Sequence, residues 1–235
     1  MGKPSVLPRR VDPEELDSLD ADDPAARRSR ADLRRLHVAM GTLSIMTRAL
    51  GSESNASPVR ILELGAGDGS LALRFARRHA PVLPNVSLTL LDRQPAVDGA
   101  TLKGLREAGW ATTVADADVF DWFDRTTEEP WDIIVTHLFL HHFQRDDLMR
   151  LLNAVANSTA LFFCCEPRRS SLSLLGSHLV GLIGAGAVTR KDAVLSVHAG
   201  FRDQELSAHW PSSRGWSLRE YPAGLFSHCL VARKT

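Results

Sequence analysis

The chain changes its hydrophobic rhythm as it runs. Residues 1 to about 30 are rich in Pro, Asp and Arg with little apolar material, which predicts an arm carrying one short helix and packed on the main domain. Between Ala31 and Leu50 the apolar positions Leu33, Leu36, Met40, Leu43 and Leu50 recur at intervals of three, four and seven, the stripe of an amphipathic helix. GSESNASP (51–58) then breaks the pattern.

Beyond Pro58 short apolar runs alternate with helical patterns. VRILEL (59–64), VSLTLLD (86–92), WATTVAD (110–116), WDIIVTH (131–137) and TALFFCCE (159–166) read as strands, several of them apolar almost throughout, as parallel strands buried on both faces are. Helices are predicted over 71–79, near 95–108 and over 146–157. Strand–helix alternation at this spacing predicts a doubly wound α/β fold. Helical stretches near 170–186 and 189–199 precede SLREYPA (217–223) and LFSHCLVAR (225–233), two strands joined too closely to be parallel. The expected architecture is a mostly parallel seven-stranded sheet with an antiparallel last strand. Residues 1–57 form an arm and helical cap, and 58–235 form the main domain.

Composition narrows the function. Hydrophobic residues at 44% and charged residues at 24% suit a soluble globular chain of 235 residues. Lys plus Arg and Asp plus Glu both number 28, so the composition lacks the basic excess of a dedicated nucleic-acid binder. The Arg-rich stretch from Arg27 to Arg35 lies among Asp17, Asp20, Asp22, Asp23 and Asp32, and reads as a solvated helix face. Cys164, Cys165 and Cys229 form neither a disulfide framework nor a CxxC zinc site. The first twenty residues contain no apolar h-region, and Leu172 to Val188 is interrupted by Ser173, Ser177 and His178. That stretch is also shorter than the roughly 20 residues a spanning helix needs. The expectation is a cytoplasmic protein with no membrane span and no nucleic-acid partner, with monomer and homodimer both open.

The chemistry concentrates in ILELGAGDGS (61–70), where Gly65, Gly67 and Gly69 follow a strand and open a helix. Glycine permits positive φ and close approach of a ligand to the backbone, and helix N-terminal amides favour an anionic group. The spacing is GxGxG, not the GxGxxG of dinucleotide sites. Glu63 precedes the first glycine by two residues, and Asp92 closes the next strand, where an acid can accept hydrogen bonds from a ribose diol.

On these residues the chain resembles the class I S-adenosylmethionine-dependent methyltransferases (type 11/12-like), whose fold is the Rossmann-like sheet just described. The E-x-G-x-G-x-G pattern stands at Glu63–Gly69, with Ala66 inside it, and the ribose acid is Asp92 followed by Arg93. The acid that meets the adenine amino group corresponds to Asp116 or Asp118, with Asp116, next to Ala117, favoured as the one at the strand end. The segment after the fourth strand, often N-x-x-L-H-H, reads HLFLHH (137–142), so His137 replaces the common Asn. EPRRS (166–170), VHAGF (197–201), QELSAHWP (204–211) and GLFSH (224–228) look like a bacterial small-molecule subfamily associated with polyketide or phenolic-lipid biosynthesis. The resemblance implies S-adenosylmethionine as cofactor, S-adenosylhomocysteine as product, and a small aromatic or lipophilic acceptor methylated at oxygen.

A phenolic acceptor, with a free pKa near 10, gains from a general base of near-neutral pKa, which points to histidine. His141 and His142 follow the fourth strand at the edge where open α/β sheets bind ligands. His198 lies in an apolar stretch that can face an acceptor, and His37 flanks the stripe of the cap helix. The catalytic candidates are therefore His141, His142 and His198. His137 and His141 are four apart without an HExxH pattern, so no metal site is expected. The apolar stretch 172–188 with Met40, Leu43, Met46, Trp210 and Phe226 reads either as core or as a lid over a lipophilic acceptor. Two other readings of the glycine loop stay open: a nicotinamide-dependent oxidoreductase, and a cofactor-binding scaffold without catalysis.

Overall fold

All seven strands expected from the sequence lie in one sheet: β1 (Val59–Leu64), β2 (Val86–Asp92), β3 (Trp110–Asp116), β4 (Trp131–His137), β5 (Thr159–Pro167), β6 (Trp216–Ala223) and β7 (Ser227–Lys234). The computed structural model describes residues 7–50, 59–94, 96–125, 129–211 and 214–235. The 51–58 breaker, the boundary between cap and main domain, and Pro95 at the start of a predicted helix lie outside the described residues. The helices among them are α1 (Pro24–Ala39), α2 (Thr42–Leu50), α3 (Ser70–His79), α4 (Gly99–Glu107), α5 (Val119–Arg125), α6 (Arg145–Ser158), α7 (Ser171–Leu179) and α8 (Ala187–Ala199).

The strand order is β3-β2-β1-β4-β5-β7-β6. The first five strands are mutually parallel, and β7 runs antiparallel to both β5 and β6. Side chains of successive strand residues point to opposite faces, which builds two buried layers. In β5, Leu161, Phe163 and Cys165 join a layer with α2 and α3, while Phe162 and Cys164 join a second layer with α6. Each fully buried Phe contributes about 1.5–3 kcal/mol by leaving water. The same alternation sends Glu63, in step with Val59 and Ile61, and His137, in step with Ile133 and Val135, to the α2–α3 face. From β1 the chain winds one way through β2 and β3, and from β4 the other way to β5. That reversal opens a crevice at the carboxyl ends of β1 and β4, the place where such sheets take ligands.

Three local expectations change. The single helix expected over 31–50 is two helices. The first already begins at Pro24, where Asp23 caps Ala25 N–H, and the break falls at Gly41, whose φ of 68° suits glycine. The short helix expected in the arm is a 3₁₀ turn, Leu16–Ser18. The helical stretch over 170–186 is α7 followed by a 3₁₀ turn, Val180–Ile183, which stops at Gly184 with φ 83°. Helix α5 is additional to the sequence reading; the Asp118 carboxylate accepts Phe120 N–H at its start. Among the described residues no helix is long and apolar enough to cross a membrane.

Buried carboxylates fasten α1 and the N-terminal arm to α8. Asp32 on α1 accepts hydrogen bonds from Gly186 N–H (2.7 Å), Thr189 Oγ1 (3.0 Å) and Arg35 Nη1 (2.6 Å), which ties α1 to the start of α8. Asp192 on α8 accepts Glu15 N–H and Leu16 N–H at 2.9 and 3.0 Å and so fixes the arm. Removing Asp32 strands the half-buried Gly186 N–H and leaves the buried Thr189 hydroxyl only Ser29 Oγ at 3.0 Å, and a stranded donor costs about 1–3 kcal/mol. Asp32→Ala is expected to lower the unfolding free energy by about that amount in urea titration; an unchanged midpoint would mean α1 is held by other contacts.

Candidate active site

The loop after β1 is built by backbone conformation. Gly65, Gly67 and Gly69 have φ of 66°, 56° and 68°, a region that side-chain-bearing residues rarely enter. At Gly65 even a methyl would fail, because an added Cβ would meet the Phe139 ring at 2.4 Å. At Gly67 an added Cβ would meet nothing, so the glycine leaves open floor to the cavity it lines. Asp92 at the end of β2 receives Gly67 N–H on Oδ2 (2.8 Å) and Gln94 N–H on Oδ1 (2.9 Å), locking the loop to the neighbouring strand. From the other side α1 reaches over the same loops. Arg34 pairs with Asp68 at 2.5 Å, and Arg30 bonds Gln94.

These elements form one wall of a cavity of about 960 Å³ that runs from the glycine loop to the arm. Near the loop, Glu63 Oε1 lies 3.5 Å from His137 Nδ1, too far for a hydrogen bond, and both are buried. Neither ring nitrogen of His137 has a hydrogen-bond partner among the described residues, an unusual state for a buried imidazole on a cavity wall. His37 from α1 faces it, ring centroids 6.5 Å apart and nearly perpendicular. Burial, then the neighbouring His137, pulls the His37 pKa down to about 3, so this ring is neutral and hydrogen bonds Thr42 through Nδ1.

At the far end the polar wall is a chain of three groups. Glu166, wholly buried at the end of β5, accepts the backbone N–H groups of Phe139, Leu140 and His141 at 3.1, 3.1 and 3.3 Å. Its Oε2 also holds His141 Nδ1 at 2.8 Å. The other ring nitrogen, Nε2, meets Glu14 Oε1 of the arm at 3.3 Å. Ser196 of α8 donates to the same Glu14 oxygen. Burial alone would lower the His141 pKa, but the two carboxylates outweigh it and raise it to about 9. Glu14 and Glu166 are both held below the usual carboxylate range: burial raises each, and the His141 hydrogen bond lowers each further. At neutral pH the trio is carboxylate–imidazolium–carboxylate. Beside it His142 pairs with Asp17 at 3.1 Å.

The remaining lining is mostly apolar: Leu33 and Leu36 of α1, Met40 just past its end, Val180 and Ile183 after α7, and Phe226 between β6 and β7. Part of the expected lid therefore does face the cavity. Leu43 packs against the core instead, and Met46 and Trp210 lie within it.

Of the residues expected from the sequence, Glu63, Gly65, Ala66, Gly67, Asp92, Arg93, Ala117, His137, His141 and His142 share the cavity wall. Gly69 instead caps α3 behind the loop. Asp116 is exposed at the end of β3 and off the wall, whereas Asp118, two residues on, lines it. His198 also stands off the wall; its backbone carbonyl accepts Arg10 N–H of the arm. Sequence reasoning missed Glu14, because one acid in an acid-rich arm carries no local signal. Ligand atoms of Glu14, His141 and His142 lie within 4.8 Å of one another, close enough to share a cation. Both His141 nitrogens are engaged by the two carboxylates.

Residues 61–160 match a family model described as a methyltransferase domain. No curated protein matches the chain. Among solved structures, magnesium protoporphyrin IX methyltransferase from Synechocystis PCC 6803 with bound SAH aligns at 14% identity and TM-score 0.55, covering 84% of this chain and 83% of that one. An O-methyltransferase family protein from Burkholderia thailandensis aligns at 15% identity and TM-score 0.59, over 93% of this chain and 64% of that one. A mitomycin 7-O-methyltransferase aligns at 18% identity and TM-score 0.56, over 94% and 60%. The chain thus spans under two thirds of the length of the last two. At these identities the likeness is one of fold, and it includes the sheet expected from the sequence.

The charged trio predicts a pH dependence. A histidine that titrates near 6.5 when unfolded and at about 9 when folded adds stability that is complete below pH 6.5 and is lost as pH rises through about 9. The lowered carboxylates act oppositely, and their contribution is lost as pH falls below the usual carboxylate range. The stability gap between the native protein and His141→Gln, measured by urea unfolding, is expected to narrow steadily from pH 6.5 to 9. A gap independent of pH would mean His141 is neutral in the fold.

Proposed function

We propose, from the premise that this chain carries a class I S-adenosylmethionine-dependent methyltransferase domain, that it methylates a small lipophilic acceptor at a hydroxyl oxygen. One observation carries the reading: a single cavity joins the glycine loop to an apolar chamber whose polar wall is Glu14–His141–Glu166.

The loop end fits the cofactor in three respects: the open floor at Gly67, the Asp92 carboxylate at the strand end, and the unpartnered His137 beside Glu63. When bound, S-adenosylmethionine supplies a methyl group already activated on a sulfonium and leaves as S-adenosylhomocysteine. Gly65, Ala66 and Gly67 would lie under it, with Gly69 fixing the turn. Asp92, with Arg93 behind it, would hold the ribose, and Glu63 with His137 the charged amino-acid end. Asp118, not Asp116, would meet the adenine, next to Ala117, because Asp118 is the acid on the wall. Residues 1–57 act as the cap and 58–235 as the methyltransferase domain, with the arm lending Glu14 to the site.

The chamber residues hold the acceptor against the methyl group and exclude water, a proximity effect worth several kcal/mol. The acceptor must lose its hydroxyl proton as the oxygen–carbon bond forms. Glu14 Oε1 is taken by His141 and Ser196, whereas its second oxygen has no hydrogen-bond partner among the described residues. That oxygen is the proton acceptor in this reading. Oxygen becomes cationic as it gains carbon, its proton turns strongly acidic, and an ionised carboxylate is base enough to take it. His141, protonated at neutral pH with both nitrogens engaged, is then a positioning group and not the base expected from sequence. His142 lines the chamber tied to Asp17, and His198 supports the arm from behind.

Calorimetric titration is expected to show binding of S-adenosylhomocysteine and none of NADH; the reverse would replace this reading with an oxidoreductase. Asp118→Ala is expected to weaken that binding about tenfold while Asp116→Ala leaves it unchanged, since each 1.4 kcal/mol of lost contact is tenfold. With a labelled methyl donor and a panel of phenols, Glu14→Gln is expected to lower kcat about 100-fold, the usual size of a lost proton acceptor, at unchanged S-adenosylhomocysteine affinity. Binding without transfer to any acceptor would favour the non-catalytic scaffold.

A further inference from the structure

Helix α7 is amphipathic the wrong way round. Its inner face is small and polar: Ser173 and Ser177 are buried, and an added Cβ at Gly176 would meet the Phe226 ring at 2.7 Å. Its outer face is leucine. Leu172, Leu175 and Leu179 follow at helical spacing, and the 3₁₀ turn continues them with Leu182 and Ile183; all five are exposed, Leu182 by 83%. Leu225, also exposed, lies at the start of this row, where its carbonyl accepts Ser173 Oγ at 3.4 Å. The row is about 20 Å long from the rise of the two helix types. A surface helix ordinarily buries its leucines and exposes its serines, and a continuous exposed apolar strip of this kind marks an interaction surface.

The charges that this segment itself contributes are of one sign. From Pro167 to Lys191 the sequence holds Arg168, Arg169, Arg190 and Lys191 and no Asp or Glu. Around the exposed turn Arg190 packs against Gly181, and two further cations join it: Arg35 reaches the Gly184 carbonyl at 3.4 Å, and Arg28 packs against Gly186. Arg35 is paired with Asp32, Lys191 with Glu15 and Arg169 with Glu205. Arg28 and Arg190 are exposed and make no ion pair among the described residues.

We propose that this face docks on an anionic lipid bilayer. Leucines enter the interface while arginines meet the headgroups, the arrangement of a peripheral helix that lies in the membrane surface. At nine residues α7 is far too short to span it. A second copy of the chain fits less well, because it would set Arg28 and Arg190 against the same cations. The strip is continuous with the cavity: Leu179, Leu182 and Ile183 are exposed and also line it. On the methyltransferase reading above, a lipophilic acceptor could then pass from the bilayer into the chamber without crossing water; the docking itself does not depend on that reading.

Flotation of the full chain with large unilamellar vesicles tests it. The protein is expected to float with vesicles containing phosphatidylglycerol and about tenfold less with phosphatidylcholine alone, or at about 0.5 M salt, where charges are screened within a few ångströms. Leu172→Asp/Leu175→Asp is expected to abolish flotation, and Arg28→Gln/Arg190→Gln to reduce it severalfold, by lost apolar insertion and lost headgroup attraction respectively. None of these four residues lines the large cavity, so S-adenosylhomocysteine titration of each variant reports correct folding separately. Native protein that binds cofactor but stays unbound with every vesicle would overturn the proposal. So would a dimer in sedimentation equilibrium that the leucine variant dissolves while vesicles bind neither form.

Discussion

A carboxylate with no exposure to solvent is expensive to keep ionised unless its lone pairs are used, and Glu166 is such a group. It stays ionised because three consecutive backbone N–H groups and the His141 ring all point at it. Those N–H groups belong to the segment leaving β4, which has to turn sharply to reach them. Leu138 accordingly takes a left-handed φ of 52°, a conformation that costs a non-glycine residue of order 1–3 kcal/mol. The same turn brings the Phe139 ring so close to Gly65 that only glycine fits there. A buried charge at the end of β5 thus determines the shape of the loop after β4 and limits the residue at the loop after β1.

Through His141 the constraint reaches the arm. Without a partner on Nε2 the imidazolium would be half satisfied; Glu14 supplies that partner, and Ser196 and Asp192 hold the arm in place. Arg9 adds bonds to the Ala199 and Phe143 carbonyls and stacks on Phe201. Residues far ahead of the first strand are therefore part of the cavity wall, and the arm is held by charges buried under it.

Much of this was legible in the sequence because it is local. The glycine loop, Asp92 at a strand end and the runs of β1 to β5 announce themselves by residue type and period, and the structure follows those strand boundaries within a residue or so. Less visible were features with weak local signals. Gly41 and Gly184 stop helices that the apolar pattern would continue. Asp116 and Asp118 look alike in VADADVF, but one ends a strand pointing outward while the other caps α5 on the cavity side. Leu172, Leu175 and Leu179 of α7 predict burial by composition, and the structure turns them to solvent.

The α/β class, the mostly parallel sheet with its antiparallel end and the glycine loop all follow from sequence, since period, strand spacing and glycine chemistry are properties of contiguous residues. Which titratable groups meet depends on how distant segments fold together. Glu14 stands 127 positions before His141, and Glu166 stands 25 after it. Their protonation depends on burial and on contacts of 2.8 and 3.3 Å that no local pattern encodes.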